Sequence, residues 1–475
     1  MRQPGTILLV ACYELGHQPL SLASPLAVLR RAGFSPAAVD TSVSELSDEA
    51  IAQAQLVAIS APMHTALRLG THVAARVRRL NPGAHICFYG LYATLNAEYL
   101  LRTAADSVIG GEYEEALLAL AEAVDGHAPL TATAIPGVRT REHQAAPVLR
   151  RLDHAVPERS ALPRPQSYAY LVRGDEAVPA GYVEASRGCL HTCAHCPITP
   201  VYGGRFFVIP RPLVLEDIRA QVRAGVRHIT FGDPDFLNGP RHSLEIARAL
   251  HAEFPHVTFD ATIKVEHILE RREVFPELAS LGCIFVVAAV ESLSEGVLRH
   301  LKKGHSRDNV VEALRILDDA GIPMRPTFVA FTPWTTARDY LEVLDFIAEH
   351  DLIEHVDPIQ YAIRLLVPPG SALLDDHDGQ AWLGPLDEEA LSYTWQHPDP
   401  RMDALQREVQ ALVERAASIR EPIPVTFTAI HRLASERLDA PIPALVAMGA
   451  GAGENTGTMR RARRPVPHLS EPWFC

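Results

Sequence analysis

The sequence predicts an α/β protein with two ordered units, and three observations carry that reading. Residues 1–125 alternate short apolar runs with longer helical stretches. The same alternation resumes at Gly181 and continues through six further units, and the stretch between, 126–180, is rich in Pro, Ala and Arg without a clear period.

Taken in order, TILLVAC, AAVD, LVAIS, HICFYG and SVIGG read as strands, separated by helices such as LASPLAVLRRAG and ALRLGTHVAARVRRLN. That pattern predicts a doubly wound, flavodoxin-like parallel sheet over 1–125, whose ligands sit at the C-terminal ends of the strands. Residues 126–180 read as a linker with little core of its own. Residues 181–380 predict a partial (β/α)6 barrel of the TIM type, with strands near 182–186, 227–231, 257–263, 283–290, 324–331 and 356–363. Its functional residues belong on the loops after each strand. A mainly helical extension follows over 381–448, with helices at RMDALQREVQALVERAASI and near ALVAMG, and then a tail, 449–475, of GAGAGENTG, RRARR and HLSEPWFC.

The balance of 44 Lys+Arg against 57 Asp+Glu gives a formal net charge of -13. Such a field repels nucleic acid and anionic membrane surfaces, so neither is expected as a partner. No apolar run approaches the roughly 20 residues a bilayer requires. The start, MRQPGTILLV, soon reaches Tyr13, Glu14 and His17, too polar for a secretory core, and a cytoplasmic location is the expectation. Lys264, Lys302 and Lys303 are the only lysines.

The seven cysteines are odd in number and uneven in spacing: Cys189, Cys193 and Cys196 fall within eight residues, whereas Cys12, Cys87, Cys283 and Cys475 are scattered. That is no disulfide framework, and it points to a metal. The triplet follows the first barrel strand, GYVEAS, in a loop opened by Arg187 and Gly188. Three thiolates can hold three irons of a cubane and leave the fourth open, which separates a reactive centre from a closed structural one. The competing reading is a zinc knuckle completed by His191 or His195. Cys12, Cys87 and Cys283 lie in apolar runs and read as core thiols.

This spacing, placed after the first strand of a partial barrel, resembles the radical S-adenosylmethionine (SAM) superfamily. The resemblance implies a [4Fe-4S] cluster on Cys189, Cys193 and Cys196 that reduces SAM to methionine and a 5′-deoxyadenosyl radical. It implies SAM contacts at the other strand ends: Gly232, Asp233 and Asp235 toward the amino group, Lys264 toward the methionine carboxylate or a substrate anion, and Glu291 toward the ribose. Phe331, Thr332, Trp334, Gln360 and Arg364 close the set of strand-end residues. The superfamily carries an aromatic residue before its third cysteine, near the adenine, and this chain departs from it with His195. The chain's own part is to aim the radical at one C–H bond and exclude water and oxygen.

A doubly wound domain ahead of such a barrel resembles the cobalamin-binding class of the superfamily. The loops that carry this likeness hold Ser60, Met63, His64 and Thr65, then Gly90 and Tyr92, then Gly111 and Glu112, which are the expected cobalamin contacts. The DxHxxG signature is missing, and His17 lies in the corresponding loop without matching it. Two readings stay open: cobalamin bound without a histidine ligand, or a domain that keeps only the fold. The tail, Ser470 to Cys475, resembles that of a radical SAM family with a CUAEP or CCAEP terminus. The expectation is that the natural chain continues past Cys475 through selenocysteine, making Cys475 part of a catalytic redox pair; the alternative is an ordinary end with an incidental thiol.

The expected function is therefore a cobalamin-dependent radical SAM enzyme that methylates an unreactive carbon of a small-molecule or peptide substrate, with an electron donor such as flavodoxin or ferredoxin. The alternatives are a cobalamin-free rearrangement or peptide modification, and a non-catalytic iron–sulfur electron-transfer or sensor protein.

Overall fold

Every residue of β1 (Ile7–Ala11) is buried, and its two faces feed different cores. Leu8 and Val10 pack with Ile51, Val57 and Phe88, whereas Ile7, Leu9 and Ala11 pack with Leu22, Leu26 and Leu117. A strand covered on both faces by helices needs such a continuous apolar run. The computed structural model describes residues 2–127, 134–375, 381–438 and 466–471. β2 (Ala37–Asp40), β3 (Leu56–Ser60), β4 (His85–Tyr89) and β5 (Ser107–Ile109) complete a parallel sheet in the order β2-β1-β3-β4-β5. The helices Leu20–Arg31, His64–Leu80 and Glu114–Asp125 cover it, giving the doubly wound arrangement the alternation predicts.

The stretch 126–180, expected to be a linker with little core, is woven into both units. β6 (Val138–Arg139) extends the first sheet antiparallel to β5, and Ile135, Val138 and Leu162 join its core. Arg159 is buried, and its Nε and Nη2 meet Asp217 Oδ1 and Oδ2 at 2.6 and 2.9 Å. Its Nη2 also donates to the Tyr182 carbonyl at 2.7 Å. This bidentate pair staples the stretch to the helix Arg211–Arg223.

β7 (Tyr170–Arg173) and β8 (Glu176–Val183) form a hairpin, so the first barrel strand begins earlier than the expected 182–186. Beyond the short β9 (Ser186–Gly188) and β10 (Phe206–Val208), the curled sheet continues with β11 (His228–Phe231), β12 (Thr258–Thr262), β13 (Cys283–Glu291) and β14 (Met324–Phe328). Five strands are parallel, in the order β8-β11-β12-β13-β14. Ile229, Phe231, Phe259, Ala261, Val286 and Ala288 face the helices, and the alternate positions face inward. Inside, Asp260 Oδ1 receives Thr230 Oγ1 at 2.7 Å and stands 2.8 Å from His228 Nε2.

The sixth unit is corrected by the structure. Residues 356–363 form no strand: 3-10 turns at Ile353–His355 and Pro358–Tyr361 stand there, joined to the barrel by one isolated bridge between Phe331 and Arg364. Pro358 fixes its own φ and has no N–H to give a ladder. Gln360 Oε1 instead accepts the Phe328 N–H at 2.9 Å, bonding the edge of β14 with a side chain.

The C-terminal part opens with an antiparallel hairpin, β15 (Leu383–Asp387) and β16 (Ser392–Trp395), where helix was expected. The helices Pro400–Ser418 and Ile423–Arg437 follow; the helix expected near ALVAMG lies outside the described residues. β17 (His468–Leu469) adds to β7, and Val466 packs with Leu171, Phe285 and Val287. Among the described residues no helix is long and apolar enough to cross a membrane.

Candidate active site at the barrel mouth

The cysteine loop rises from a two-stranded stem. β9 and β10 pair antiparallel, the Cys189 N–H donates to the Arg205 carbonyl at 3.0 Å, and the Ala194 N–H donates to Leu301 at 2.9 Å. Thr199 Oγ1 donates to the Cys193 carbonyl at 2.8 Å, tying the loop to the helix Thr199–Tyr202 that ends it. Cys189 and Cys193 are buried, Cys196 is partly so, and all three thiols are free. Burial pushes Cys189 up and Cys196 up to about 12, so both are protonated until a metal displaces the proton.

The donor set fits a cluster better than a single ion. Among the described residues the three donors found within 4.8 Å of one another are those of His191, Asp235 and His267, and no cysteine is among them. A zinc ion needs its ligands converging on one point, whereas a cubane takes one thiolate on each of three irons. The imidazoles also look elsewhere: His195 Nε2 stands 3.4 Å from Glu291 Oε1 and His191 Nε2 3.5 Å from Asp235 Oδ2.

Around the thiols the strand ends supply charge. Lys264, at the end of β12, is buried, with Nζ 3.6 Å from Cys193 Sγ and 2.7 Å from Glu266 Oε1. Burial alone would lower its pKa, but a thiolate at Cys193 and Glu266 outweigh it and raise it. Glu291 ends β13 in a left-handed conformation, φ 65°, where the register against β14 shifts. This bulge turns the carboxylate toward His195 and Lys303, whose Nζ is 3.5 Å away. Burial would raise the Glu291 carboxyl, yet Lys303 and His195 hold it down to about 2.

Asp235 faces His267 Nδ1 at 2.7 Å and accepts the Leu237 N–H at 3.1 Å. Asp233 is used differently from the expected SAM contact. Its two oxygens take the Ala185 N–H at 2.9 Å and the Ser186 hydroxyl at 2.5 Å, bracing the chain that enters the cysteine loop, and burial pushes it up to about 7. Gly232 makes room for a neighbour: a Cβ there would fall 2.0 Å from the Tyr182 ring. Two more expected strand-end residues, besides Gln360, are engaged in packing. Arg364 bonds Asp403 at 2.6 Å and stacks on Trp395, and Trp334 stacks on His300.

The sequence reading missed Glu266, His267, Lys303 and His305. Glu266 Oε1 accepts Lys264 and the Gly304 N–H, and its other oxygen lies 3.4 Å from His305 Nδ1. One signal was available: two of the only three lysines are buried here.

The C-terminal edge of the first sheet faces this mouth. His64 Nε2 lies 2.7 Å from the Ala390 carbonyl of the β15–β16 hairpin, and Tyr92 stands edge-on to its ring. Met63 occupies the N-cap position of the helix His64–Leu80 without a side-chain capping bond, Thr65 lies in its first turn, and Ser60 is buried at the end of β3. Gly90 and Gly111 both adopt positive φ; at Gly111 a Cβ would lie 2.3 Å from the Val148 carbonyl oxygen. Glu112, expected to meet cobalamin, is spent on the other domain: Arg187 Nη1 is 3.2 Å from Oε2 and the Tyr202 hydroxyl donates to Oε1 at 2.8 Å. His17 packs on the barrel. Its ring lies against Tyr182 of β8, centroids 5.0 Å apart, and burial lowers it to about 4. Cys475 lies outside the described residues.

Comparison with known proteins matches residues 183–347 to the radical SAM superfamily and residues 6–121 to the B12 binding domain. An uncharacterized methyltransferase of Pyrococcus horikoshii is 22% identical over 304 residues, 62% of this chain and 64% of that protein. A hopanoid C-3 methylase of Methylococcus capsulatus is 26% identical over 206 residues, 43% and 39% of the two chains. A putative methylthiotransferase of Methanocaldococcus jannaschii is 26% identical over 185 residues, 36% and 39%. The chain thus spans less than two thirds of the length of each of these relatives.

Among solved structures, the cobalamin-dependent SAM radical enzyme OxsB with aqua-cobalamin and SAM bound superposes with a TM-score of 0.70 at 15% identity, over 92% of this chain and 71% of that one. The radical SAM methyltransferase TsrM of Kitasatospora setae superposes with a TM-score of 0.58 at 17% identity, over 73% and 71%. At these identities the likeness is one of fold.

Proposed function

We propose that this chain, a radical SAM protein with an N-terminal B12-binding domain, is an enzyme that joins SAM cleavage to cobalamin-dependent methyl transfer onto an unreactive carbon. The observation that carries the reading is the contact of two sites: the segment bearing the cysteine loop reaches, through Arg187 and Tyr202, the glycine-bearing edge of the first sheet at Glu112. When bound, the [4Fe-4S] cluster supplies the electron that cleaves SAM, and cobalamin supplies a methyl carrier.

The chain's residues do the rest. Cys189, Cys193 and Cys196 hold iron through thiolates, each losing its proton on loading. Lys264, beside Cys193, offsets the charge that accumulates on the loop. Asp235 offers a buried anion for the SAM ammonium, and Glu291, kept ionised by Lys303, offers an acceptor for the ribose hydroxyls. His195, held on Glu291, stands where the adenine contact is expected. Gly90 and the loop after β3, with Ser60, Met63, His64 and Thr65, line the edge open to a corrin, together with Tyr92. His17, committed to Tyr182, leaves that cofactor without a histidine ligand from this loop. A small-molecule or peptide substrate would enter between the two, with flavodoxin or ferredoxin as reductant in the cytoplasm.

Anaerobic reconstitution with iron, sulfide and cobalamin, followed by SAM and reductant, tests the reading. The expected result is visible cluster absorbance, stoichiometric cobalamin, and 5′-deoxyadenosine with S-adenosylhomocysteine. A cluster-loaded chain that binds no cobalamin would sink the methyl-transfer reading.

A further inference from the structure

One guanidinium joins the two domains at the root of the cysteine loop. Arg187 lies two residues before Cys189, and its side chain, 9% exposed, crosses into the first domain. Nη1 meets Glu114 Oε1 at 2.7 Å and Glu112 Oε2 at 3.2 Å, Nε meets Glu184 Oε2 at 2.7 Å, and the guanidinium lies 5.2 Å over the Tyr113 ring. Glu112 and Glu114 are 1% and 4% exposed and follow β5 on the edge that faces the barrel mouth. Glu114 is fixed in turn by Ser24 Oγ at 2.6 Å, on the helix Leu20–Arg31.

The far end of the loop returns to the same carboxylate. Tyr202, last residue of the helix that follows Cys196, donates to Glu112 Oε1 at 2.8 Å. The segment bearing all three cysteines is therefore gripped at entry and at exit by one side chain of the first domain. A buried cation surrounded by three carboxylates cannot shift without stranding charge, and the planar fork places separate nitrogens, Nη1 on Glu112 and Glu114 and Nε on Glu184, where a single ammonium nitrogen offers only one point of contact.

We propose that Arg187 is a positioning residue: with Glu112, Glu114 and Tyr202 it fixes the cysteine loop at a set distance from the cofactor edge of the first domain, so that the two cofactors work in register. The inference rests on the proposed function only in taking a cobalamin as the first domain's occupant. Register matters because a misplacement of about 1 Å at reacting atoms costs about 100-fold in rate.

The test uses the full chain, cluster-reconstituted, loaded with cobalamin and reduced, with pulsed EPR reading the distance between cob(II)alamin and the reduced cluster. Wild type is expected to give one narrow distance. Arg187→Met should keep its cluster and give a broader or longer distribution, and Arg187→Lys, which keeps the charge without the fork, should fall between. Arg325→Met breaks a buried pair within the barrel alone, with Asp357 at 2.7 Å, and should lower stability without moving the distance.

An Arg187→Met protein with the wild-type distance overturns the proposal. Should that variant fail to hold iron, Arg187→Lys decides on the same measurement. Should wild type take up no cobalamin, the function reading falls and hydrogen exchange judges the clamp. Joint loss of protection at 110–116 and 186–205 in Arg187→Met upholds it, and unchanged protection in both overturns it.

Discussion

The barrel mouth and the adjoining sheet edge are built by contrary means. The mouth is crowded with buried charge: Lys264 on Glu266, Lys303 and His195 on Glu291, and His267 on Asp235, all close to the thiols. The edge is cleared by backbone, with Gly90 and Gly111 at positive φ and Glu112 and Glu114 withdrawn into the contact with Arg187. Under the proposed function, paired charges suit a small zwitterion such as SAM, and a backbone cleared of side chains suits a broad macrocycle.

The contrast can be broken most completely at the mouth. Cys193→Ala should abolish cluster uptake, read as loss of visible absorbance and of iron content, while leaving cobalamin binding at the edge intact. Next, Glu291→Gln leaves Lys303 buried without its anion and should cost about 3–5 kcal/mol, read by chemical denaturation of the cluster-free chain. The same variant checks pH dependence. A carboxyl held at about 2, below its ordinary 4.5, contributes stability present above pH 4.5 and lost as pH falls toward 2, so Glu291→Gln should flatten that acid limb.

At the edge, Gly111→Ala must relieve both its φ of 71° and the approach to Val148, and should cost about 1–3 kcal/mol and weaken cobalamin binding, with SAM cleavage spared. Asp233 sharpens the mouth from the opposite sign. Its carboxyl is raised from 3.8 to about 7 by burial, so its ionisation removes stability as pH climbs from 3.8 through 7. Asp233→Asn should lose less stability than wild type between those values; equal slopes would show that the bracing carboxyl does not titrate there. The smallest effect is expected at Gly174→Ala, outside both regions. Its φ is 59° but no atom lies within 4 Å of the added Cβ, so only the backbone conformation is strained, and a cost of about 1 kcal/mol should appear with no change in either cofactor.

Much of the frame was legible because it is local. Apolar runs at β1 to β5 and again at β8 to β14 carry their own period, and the spacing of Cys189, Cys193 and Cys196 is contiguous in the chain. The sixth barrel strand was not legible as missing: Pro358 alone does not forbid it, since Pro326 pairs within β14, and what replaces the strand is the Gln360 side chain on the Phe328 N–H, a contact 32 residues away. At the site, Lys264 could be singled out by its rarity, and the same argument reached Lys303 unused. Glu112 and Asp233 were read by position as cofactor contacts, but no local pattern reveals that Arg187 and Ser186 claim them.

Local pattern was enough for two α/β units in series, a three-cysteine loop after the first barrel strand, and glycine-bearing loops on the strand ends ahead of it. These follow from spacing and period, which act over a few residues. Long-range packing was needed to show that Glu291 turns through a bulge to meet Lys303 and that His17 lies against Tyr182. It also decided that Glu112 grips the loop from the other domain. Each of these is a pairing of buried groups beyond the reach of a local period, from 12 residues apart for Glu291 and Lys303 to 90 for Glu112 and Tyr202 and further still for His17 and Tyr182, settled by which partner is near when water is excluded.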